Sequence, residues 1–169
     1  MLQTDHPHRL DAWIRELGLE PHPEGGYFRE VYRSRDPVIA SCRPEQPLVA
    51  STHIYYLLGP GDRSRLHRIR SDELWHFYGG STLRVHVIDP DTRDYRCLRL
   101  GSDLSQGDRL FDWVPAGCWF GADLAQANSY ALVGCTVAPG FEFRDFELAD
   151  PVQWRSEFPE YGNLLEQLS

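Results

Sequence analysis

The sequence predicts an all-β fold, a sandwich or barrel of short antiparallel strands with a short helix at each end. Between positions 27 and 148 the chain divides into roughly ten runs rich in β-branched and aromatic residues, each of ordinary strand length. Turn-forming residues separate these runs, as at Gly59-Pro60-Gly61-Asp62, Gly79-Gly80, Asp89-Pro90-Asp91 and Pro139-Gly140. Many short strands with such turns favour a sandwich or barrel over a parallel α/β fold.

One amphipathic helix is predicted before the first strand. Its apolar residues recur at i, i+3, i+4 and i+7, and they are Leu10, Trp13, Ile14 and Leu17. Thr4 or Asp5 is the predicted N-cap, and Gly18 follows the last turn. The chain has the length of one domain, 1–169. We divide it into an N-terminal helix (1–20), a β region (21–150) and a C-terminal tail (151–169).

The predicted strands cover most of the β region. Their limits are Tyr27 to Ser34, Leu48 to Leu58, Ser64 to Arg70, Glu73 to Tyr78, Thr82 to Asp89, Tyr95 to Leu100, Leu110 to Val114, Cys118 to Ala122, Ser129 to Val137 and Phe143 to Leu148. The tail from Pro151 is expected to be a loop with a closing helix around Asn163 to Leu168.

Charge and hydropathy exclude several classes of partner. The net charge is -8, without a basic stripe, so we expect no nucleic acid partner and no anionic lipid surface. No apolar run approaches the ~20 residues of a membrane span. The polar N-terminus does not have the pattern of a signal peptide, and a cytoplasmic location is expected.

Cysteine and lysine usage limits the chemistry further. Cys42, Cys97, Cys118 and Cys135 are widely spaced and form no C-x-x-C pair, which argues against a zinc ribbon or a redox motif. The chain has no lysine, which excludes Schiff-base enzymes. An acid or base must therefore be His, Asp, Glu, Tyr or Cys.

Two short motifs carry a family resemblance. Gly61, His67, Glu73 and Gly80 have the spacing of the first motif of the cupin superfamily, with Ile69 at the second His position. Further on, the second motif is matched by Pro115 and Gly117, with Phe120 in place of the final His. Two of the four metal ligands that the resemblance implies are therefore absent. We expect the pocket to be kept and the metal to be lost.

Longer phrases resemble one cupin branch that has no settled activity. They run in order through about two thirds of the chain and are 21–30, 51–58, 71–78, 114–120 and 134–143. The resemblance implies a double-stranded β-helix, the cupin jelly roll, in a homodimer, similar in shape to deoxysugar epimerases and germin-like proteins. An N-terminal strand exchanged between subunits would cover an exposed sheet edge.

The candidate acid–base pair is His67 and Glu73. Alternate residues of a strand point to the same side, so an inward Glu73 would bring Trp75 and Phe77 inward as ligand-contacting residues. His67 would lie beside them on the preceding strand. An imidazole and a carboxyl group that meet in an aromatic cavity can transfer protons. The alternative is a structural hydrogen-bonded pair left from a metal-binding ancestor.

A metal is the less favoured alternative, and no cofactor is expected. His67 and Glu73 supply two ligands, and catalytic metal sites need at least three. His76 completes the fallback set, but it lies three residues after Glu73 and reaches the same side only through a bulge. His53 is another possible ligand.

Five further residues are candidates for ligand contact. Tyr27 and Arg29 follow the Glu24-Gly25-Gly26 turn and could serve as proton donor and anion clamp. The two glycines suggest positive φ or close approach of other backbone. Arg65 is a second anion-binding candidate. Trp119 and Phe120 follow the Pro-Ala-Gly turn and either pack in the core or stack on a ligand.

Three functions stay open at this point. The first is a metal-independent small-molecule enzyme, a sugar or nucleotide-sugar epimerase or isomerase. In it His67 is the base or acid, Glu73 orients it, and Tyr27 or another pocket tyrosine completes proton transfer. The second is a non-catalytic module that binds a sugar, nucleotide or carboxylate. The third is a metal-dependent enzyme with a reduced ligand set.

Overall fold

The fold is a two-sheet β structure with helices packed on its outer faces. The computed structural model describes residues 6–40 and 44–169. The helices are α1 (His6–Leu17), α2 (Pro151–Glu157) and α3 (Gly162–Gln167). Single turns of 3-10 helix occur at Leu104–Gln106, Phe143–Asp145 and Pro159–Tyr161.

The strands form two antiparallel sheets and one short hairpin-like pair. The six-stranded sheet has the order β1 (Glu20–Pro21), β2 (Tyr27–Arg33), β5 (Thr52–Leu58), β12 (Ala131–Ala138), β7 (Asp72–Gly80) and β10 (Phe111–Val114). The five-stranded sheet has the order β13 (Glu147–Leu148), β6 (Ser64–Arg68), β11 (Trp119–Leu124), β8 (Leu83–Ile88) and β9 (Tyr95–Leu100). The third sheet pairs β3 (Pro37–Val38) with β4 (Leu48–Val49). The predicted mostly-β, two-sheet architecture with short terminal helices is confirmed.

The main core lies between the two larger sheets. Tyr56, Trp75 and Val133 reach it from the six-stranded sheet, and Val85 and Phe120 reach it from the five-stranded sheet. All five side chains are at most 1% exposed, so the inner faces of the two sheets pack directly against each other here and exclude solvent. Burial of such apolar area is the dominant favourable contribution to folding.

Two predicted strand runs are divided in the structure. The run from Leu48 to Leu58 breaks at Ala50 and Ser51, because their backbone groups bond instead to Asp36 and Ser34. The run from Phe143 to Leu148 begins with a 3-10 turn and only then forms β13. Its aromatic residues indicate that the run packs against the core, and a residue in a tight turn can do so as well as one in a strand.

Helix α1 covers part of the outer face of the six-stranded sheet, as its apolar periodicity predicts. Leu10, Trp13, Ile14 and Leu17 pack against a cluster of Leu19, Leu57, Tyr130 and Leu132. The chain then leaves the helix at Gly18, whose φ of +62° favours glycine. The predicted caps Thr4 and Asp5 lie outside the described residues.

The C-terminal tail contains a helix where the sequence predicts a loop. The carboxylate of Asp150 accepts hydrogen bonds from the backbone N–H groups of Val152 and Gln153, and Pro151 occupies the first helical position. Helices α2 and α3 cover the outer face of the five-stranded sheet, where Trp154 packs edge-on against Trp119. This seven-residue helix has little helical periodicity of its own. Its stability therefore depends on the cap and on tertiary packing.

The rest of the outer face of the six-stranded sheet exposes aromatic side chains. Tyr78, Phe111 and Trp113 are 44–48% exposed.

Within residues 6–40 and 44–169, the helices are all too short or too polar to cross a membrane.

Replacing the helix cap should destabilise the domain measurably. Asp150→Ala removes two hydrogen bonds at the start of α2, so we expect a loss of about 1 kcal/mol and a fall in Tm of roughly 2–4 °C. Thermal unfolding followed by circular dichroism measures both. Asp150→Ser, which can still cap, should retain most of the stability, and an equal loss in the two variants would contradict the cap assignment.

Candidate functional site

A cavity between the sheets contains the buried ionisable side chains of Glu24, His67 and Glu73. Its volume is about 100 Å³, and one water needs roughly 10–15 Å³ by the same measure. The cavity therefore has room for a small organic molecule. It is lined by His22, Glu24, Phe28, Glu30, Arg33, Thr52, Ile54, His67, Ile69, Glu73, Cys135, Val137, Phe141, Glu142, Phe143 and Phe146.

A buried carboxylate–imidazole pair lies deep in this cavity. Nε2 of His67 is 3.1 Å from Oε2 of Glu24, and both side chains are at least nine-tenths buried. The other carboxylate oxygen, Oε1, accepts a hydrogen bond of 2.8 Å from the hydroxyl of Ser64. The ring of His67 is held by Phe120 and Phe146, whose centroids are 4.1 and 5.1 Å away. The pair is therefore fixed in position and shielded from water.

The hydrogen bonds of His67 require a proton between this ring and Glu24. Its Nδ1 lies 2.6 Å from the backbone oxygen of Arg65, and since a carbonyl oxygen only accepts, Nδ1 donates. Nε2 then faces Glu24 either as an N–H donor or as an acceptor from a protonated carboxyl group. In both cases the two residues share one proton, which is the property that an acid–base pair needs.

The Glu24-Gly25-Gly26 turn places the carboxylate in the barrel. Gly25 and Gly26 have φ of +115° and +70°. A Cβ on Gly25 would collide with the backbone oxygen of Arg63, and one on Gly26 would lie 2.6 Å from Leu58 Cδ2. The positive φ and close backbone approach that two adjacent glycines predict are both confirmed.

The turn is also tied to both sheets by hydrogen bonds. The backbone oxygen of Glu24 accepts from the N–H of Arg65 at 2.9 Å, and the oxygen of Gly25 accepts from the hydroxyl of Tyr56 at 2.8 Å. The backbone of the turn is thus held from β5 and β6 together. A side chain at Gly25 or Gly26 would push the turn away from these strands and break the two hydrogen bonds.

Glu73 is a second buried carboxyl group in the same cavity, and it is 8% exposed. Burial and then the charge of Glu24 raise the pKa of Glu73 to about 8, while a hydrogen bond from the Cys135 thiol acts in the opposite direction. Glu73 is therefore protonated at neutral pH and can donate a hydrogen bond or a proton.

His22 completes the deep part of the cavity. Its Nδ1 accepts a hydrogen bond of 3.2 Å from the backbone N–H of Glu24, and its ring meets Phe28 edge-on at 4.5 Å. Burial lowers the pKa of His22, which Glu24 opposes and His67 reinforces. His22 is consequently a neutral ring that supports the turn.

An ion-pair cluster lies at the mouth of the cavity. Arg33 binds both carboxylate oxygens of Glu30 at 2.9 Å and Oε1 of Glu142 at 3.0 Å. The side chains of these three residues are 36–39% exposed, in contrast to Glu24 and Glu73 below them. The ion pairs tie β2 to the segment 141–146, whose three phenylalanines form the apolar side of the mouth.

Two of the site residues predicted from the sequence are brought together in this cavity. His67 and Glu73 both line it, as a jelly-roll register requires. The carboxylate that contacts His67 is nevertheless Glu24, so Glu73 does not orient the ring. Trp75 lies in the core between Tyr56 and Phe120. Its indole N–H has no hydrogen-bond partner among the described residues. Phe77 packs against the edge of the same core rather than lining the cavity.

Other predicted contact residues lie elsewhere, which corrects their expected placement. Tyr27 and Arg29 share a strand face, as predicted, but it is the outer one, because Phe28 and Glu30 take the inward positions of β2. Tyr27 packs near α1, and Arg29 donates to the backbone oxygen of Leu17. Arg65 is exposed and donates to the oxygen of Pro23. Trp119 packs under α2, on the outer face of the five-stranded sheet.

The metal ligand set proposed as a fallback is not assembled. His76 points away from Glu73, to the outer face, where its Nε2 lies 3.2 Å from the hydroxyl of Thr136 and its ring 5.9 Å from that of His53. In the part of the chain that the structure describes, no three His, Cys, Asp or Glu side chains are placed to hold a metal ion. With Ile69 and Phe120 at two ligand positions, the residues do not fit a cupin metal centre.

Six residues that define the site are not indicated as site residues by the sequence motifs. They are His22, Glu24, Glu30, Arg33, Cys135 and Glu142. A signal for Glu24 was present, because a charged residue directly before two glycines lies where the backbone is forced into close contact with its surroundings. The ion pair of Arg33 with Glu142 joins residues 109 positions apart, and no local pattern indicates it.

Two proteins of known structure share this architecture and a similar sequence, and a yeast protein is similar in sequence. A hypothetical protein from Leishmania major is 38% identical with a TM-score of 0.84, covering 93% of this chain and 96% of that one. Protein SO0799 from Shewanella oneidensis is 37% identical with a TM-score of 0.83, covering 94% and 96%. The uncharacterized protein YML079W of Saccharomyces cerevisiae is 28% identical over 151 residues, covering 82% of this chain and 74% of the yeast protein.

A more distant likeness concerns the fold alone. Oxalate decarboxylase from Bacillus subtilis is 18% identical with a TM-score of 0.52, and the match covers 88% of this chain and 37% of that protein. At family level, residues 11–149 match the family described as Cupin superfamily (DUF985). The double-stranded β-helix implied by the sequence motifs is thus the fold of this protein, and the chain belongs to the Cupin superfamily (DUF985) family.

Proposed function

We propose that this protein is a small-molecule enzyme that moves protons within the barrel, with Glu24 and His67 as the acid–base pair and Glu73 as a neutral acid. One observation carries the proposal: two carboxyl groups in a single cavity have different roles imposed by their surroundings. Glu24 is paired with an imidazole at 3.1 Å, whereas Glu73 is kept protonated. Such separation of two acids is typical of acid–base catalysis.

The arrangement suits proton abstraction next to a carbonyl group. The Glu24–His67 pair takes the proton from the carbon, and Glu73 gives its own proton to the carbonyl oxygen as negative charge develops there. The result is an enol with all protons accounted for. Isomerisation follows when the pair returns this proton to the neighbouring carbon while the Glu73 carboxylate takes the hydroxyl proton from the first carbon. Epimerisation follows when the enol turns its other face to the pair, which returns the proton to the same carbon while Glu73 takes back the proton of the enol oxygen.

The apolar walls support this chemistry. Ile54, Ile69, Val137 and the phenylalanines exclude water from the reacting groups.

The proposed enzyme works without a metal, because metal-binding side chains are absent at two of the family's ligand positions. The substrate class that we propose is a small sugar or a similar polyhydroxy carbonyl compound.

Proton exchange into a substrate tests the proposal without knowledge of the natural product. The protein is incubated in D₂O with a panel of small aldoses, ketoses and amino sugars, and mass spectrometry detects deuterium bound to carbon. His67→Gln and Glu24→Gln should each lower the exchange rate by about 10²-fold or more. His53→Gln, on the outer sheet face, is the matched control and should keep the rate.

Two outcomes would contradict the proposal. One is the absence of exchange into every compound of the panel by the wild-type protein. The other is exchange that persists in both His67→Gln and Glu24→Gln at the rate of the control. Intact folding of each variant is checked by its thermal unfolding curve, so that loss of exchange is not confused with unfolding.

The protonation of Glu73 gives a second test that requires no substrate. Infrared spectroscopy should show a protonated-carboxyl C=O band that disappears as pH rises, with a midpoint near 8. The band should be absent in Glu73→Gln. Because the raised pKa keeps the proton on below that pH, exchange activity should fall as pH rises through the same midpoint. A band lost at the pH of ordinary carboxyl groups would refute the assigned role.

A further inference from the structure

We infer that the cavity selects a positively charged ligand, an amine-bearing compound, and rejects carboxylates and phosphates. This inference rests on the proposed function, since it names the substrate class of the same site. It narrows the substrate to an amino sugar or amino ketone, with the amine at the mouth and the carbonyl group beside Glu73.

Acidic groups outnumber basic ones around the cavity. Four carboxyl groups line it, two deep (Glu24 and Glu73) and two at the mouth (Glu30 and Glu142). Among the described lining residues, Arg33 is the single guanidinium, and the chain has no lysine. Glu73 is protonated and Glu24 shares its proton with an imidazole, so the remaining charge is the net negative charge of the ion-pair cluster at the mouth. An anion that enters would lose its hydration beside that charge, which is unfavourable in a partly apolar cavity.

The guanidinium of Arg33 is already occupied. Of its five N–H donors, Nε and one on Nη2 bind Glu30, one on Nη1 binds Glu142, and Nη2 also contacts the backbone oxygen of Phe141 at 3.2 Å. A carboxylate or phosphate would have to displace these partners. Arg33 therefore acts as a brace for the mouth and is not a free anion receptor.

Aromatic rings supply the complementary half of a cation site. Phe141 and Phe143 meet edge-to-face with centroids 5.0 Å apart, and Phe146 lies 6.4 Å from Phe141. Phe28 also lines the cavity, on the same strand as Glu30. The faces of aromatic rings attract ammonium groups, and rings combined with carboxylates favour cations over neutral molecules of equal size. Phe143 is 58% exposed, which places this aromatic surface where a ligand enters.

Three probes of similar size and different charge test the inference. They are tetramethylammonium, tert-butanol and pivalate, titrated at constant ionic strength into the isotopically labelled full-length protein and followed by NMR of backbone amides. Tetramethylammonium should shift the amides of Ile54, Cys135 and Phe141 saturably and bind about tenfold more tightly than pivalate.

A matched pair of variants locates the effect. Glu142→Gln removes a carboxylate from the mouth and should weaken tetramethylammonium binding several-fold. Glu147→Gln removes a comparably exposed carboxylate that pairs with Arg68 at 2.8 Å away from the cavity, and it should leave binding unchanged.

The inference is overturned if pivalate binds as tightly as the cation, if the cation causes no saturable shift, or if both variants change binding equally. These outcomes differ from failure of the proposed function. Deuterium exchange that depends on Glu24 and His67 can persist while the cation preference is absent, in which case only the substrate class is wrong.

Discussion

The placement of one carboxylate, that of Glu24, determines the rest of the site. A charged group with little access to water is costly unless its oxygens are paired. Ser64 and His67 supply those partners, both from β6, and the two glycines after Glu24 allow the turn to approach that strand closely. The protonated state of Glu73 depends on the same feature, because the charge of Glu24 adds to burial in raising the pKa of Glu73. A change at Glu24 would alter all three groups together.

Strand alternation explains why neighbouring residues have unrelated roles. On β2, Phe28 and Glu30 face the cavity, while Tyr27 lies near α1. On β7, Glu73 faces inward and His76 joins the polar and aromatic cluster on the outer face. A shift of one residue in either strand would exchange the two sets. The helices on the outer faces help to fix the register, since they bury apolar residues that would otherwise be exposed.

The sequence was sufficient for the architecture and for half of the site. Strand runs and turn residues predict the two sheets, and the spacing of Gly61, His67, Glu73 and Gly80 predicts that an imidazole and a carboxyl group enter one cavity. Which residue contacts His67 depends on how far the 22–26 turn folds over β6, and that depends on the three-dimensional path of the backbone. The same limit applies to α2, whose stability comes from the cap at Asp150 and the contact of Trp154 with Trp119 more than from periodicity.

The central claim is that Glu24 and His67 share a proton inside the barrel. Nitrogen NMR of the His67 ring tests this most directly, because the two ring nitrogens have separate resonances that report which one carries a proton. The account predicts that Nδ1 stays protonated and bonded to the Arg65 carbonyl, and that the Nε2 resonance moves when Glu24 is replaced by Gln. An Nδ1 without a proton, or an Nε2 signal that is the same in wild type and Glu24→Gln, would contradict the shared proton and the mechanism built on it.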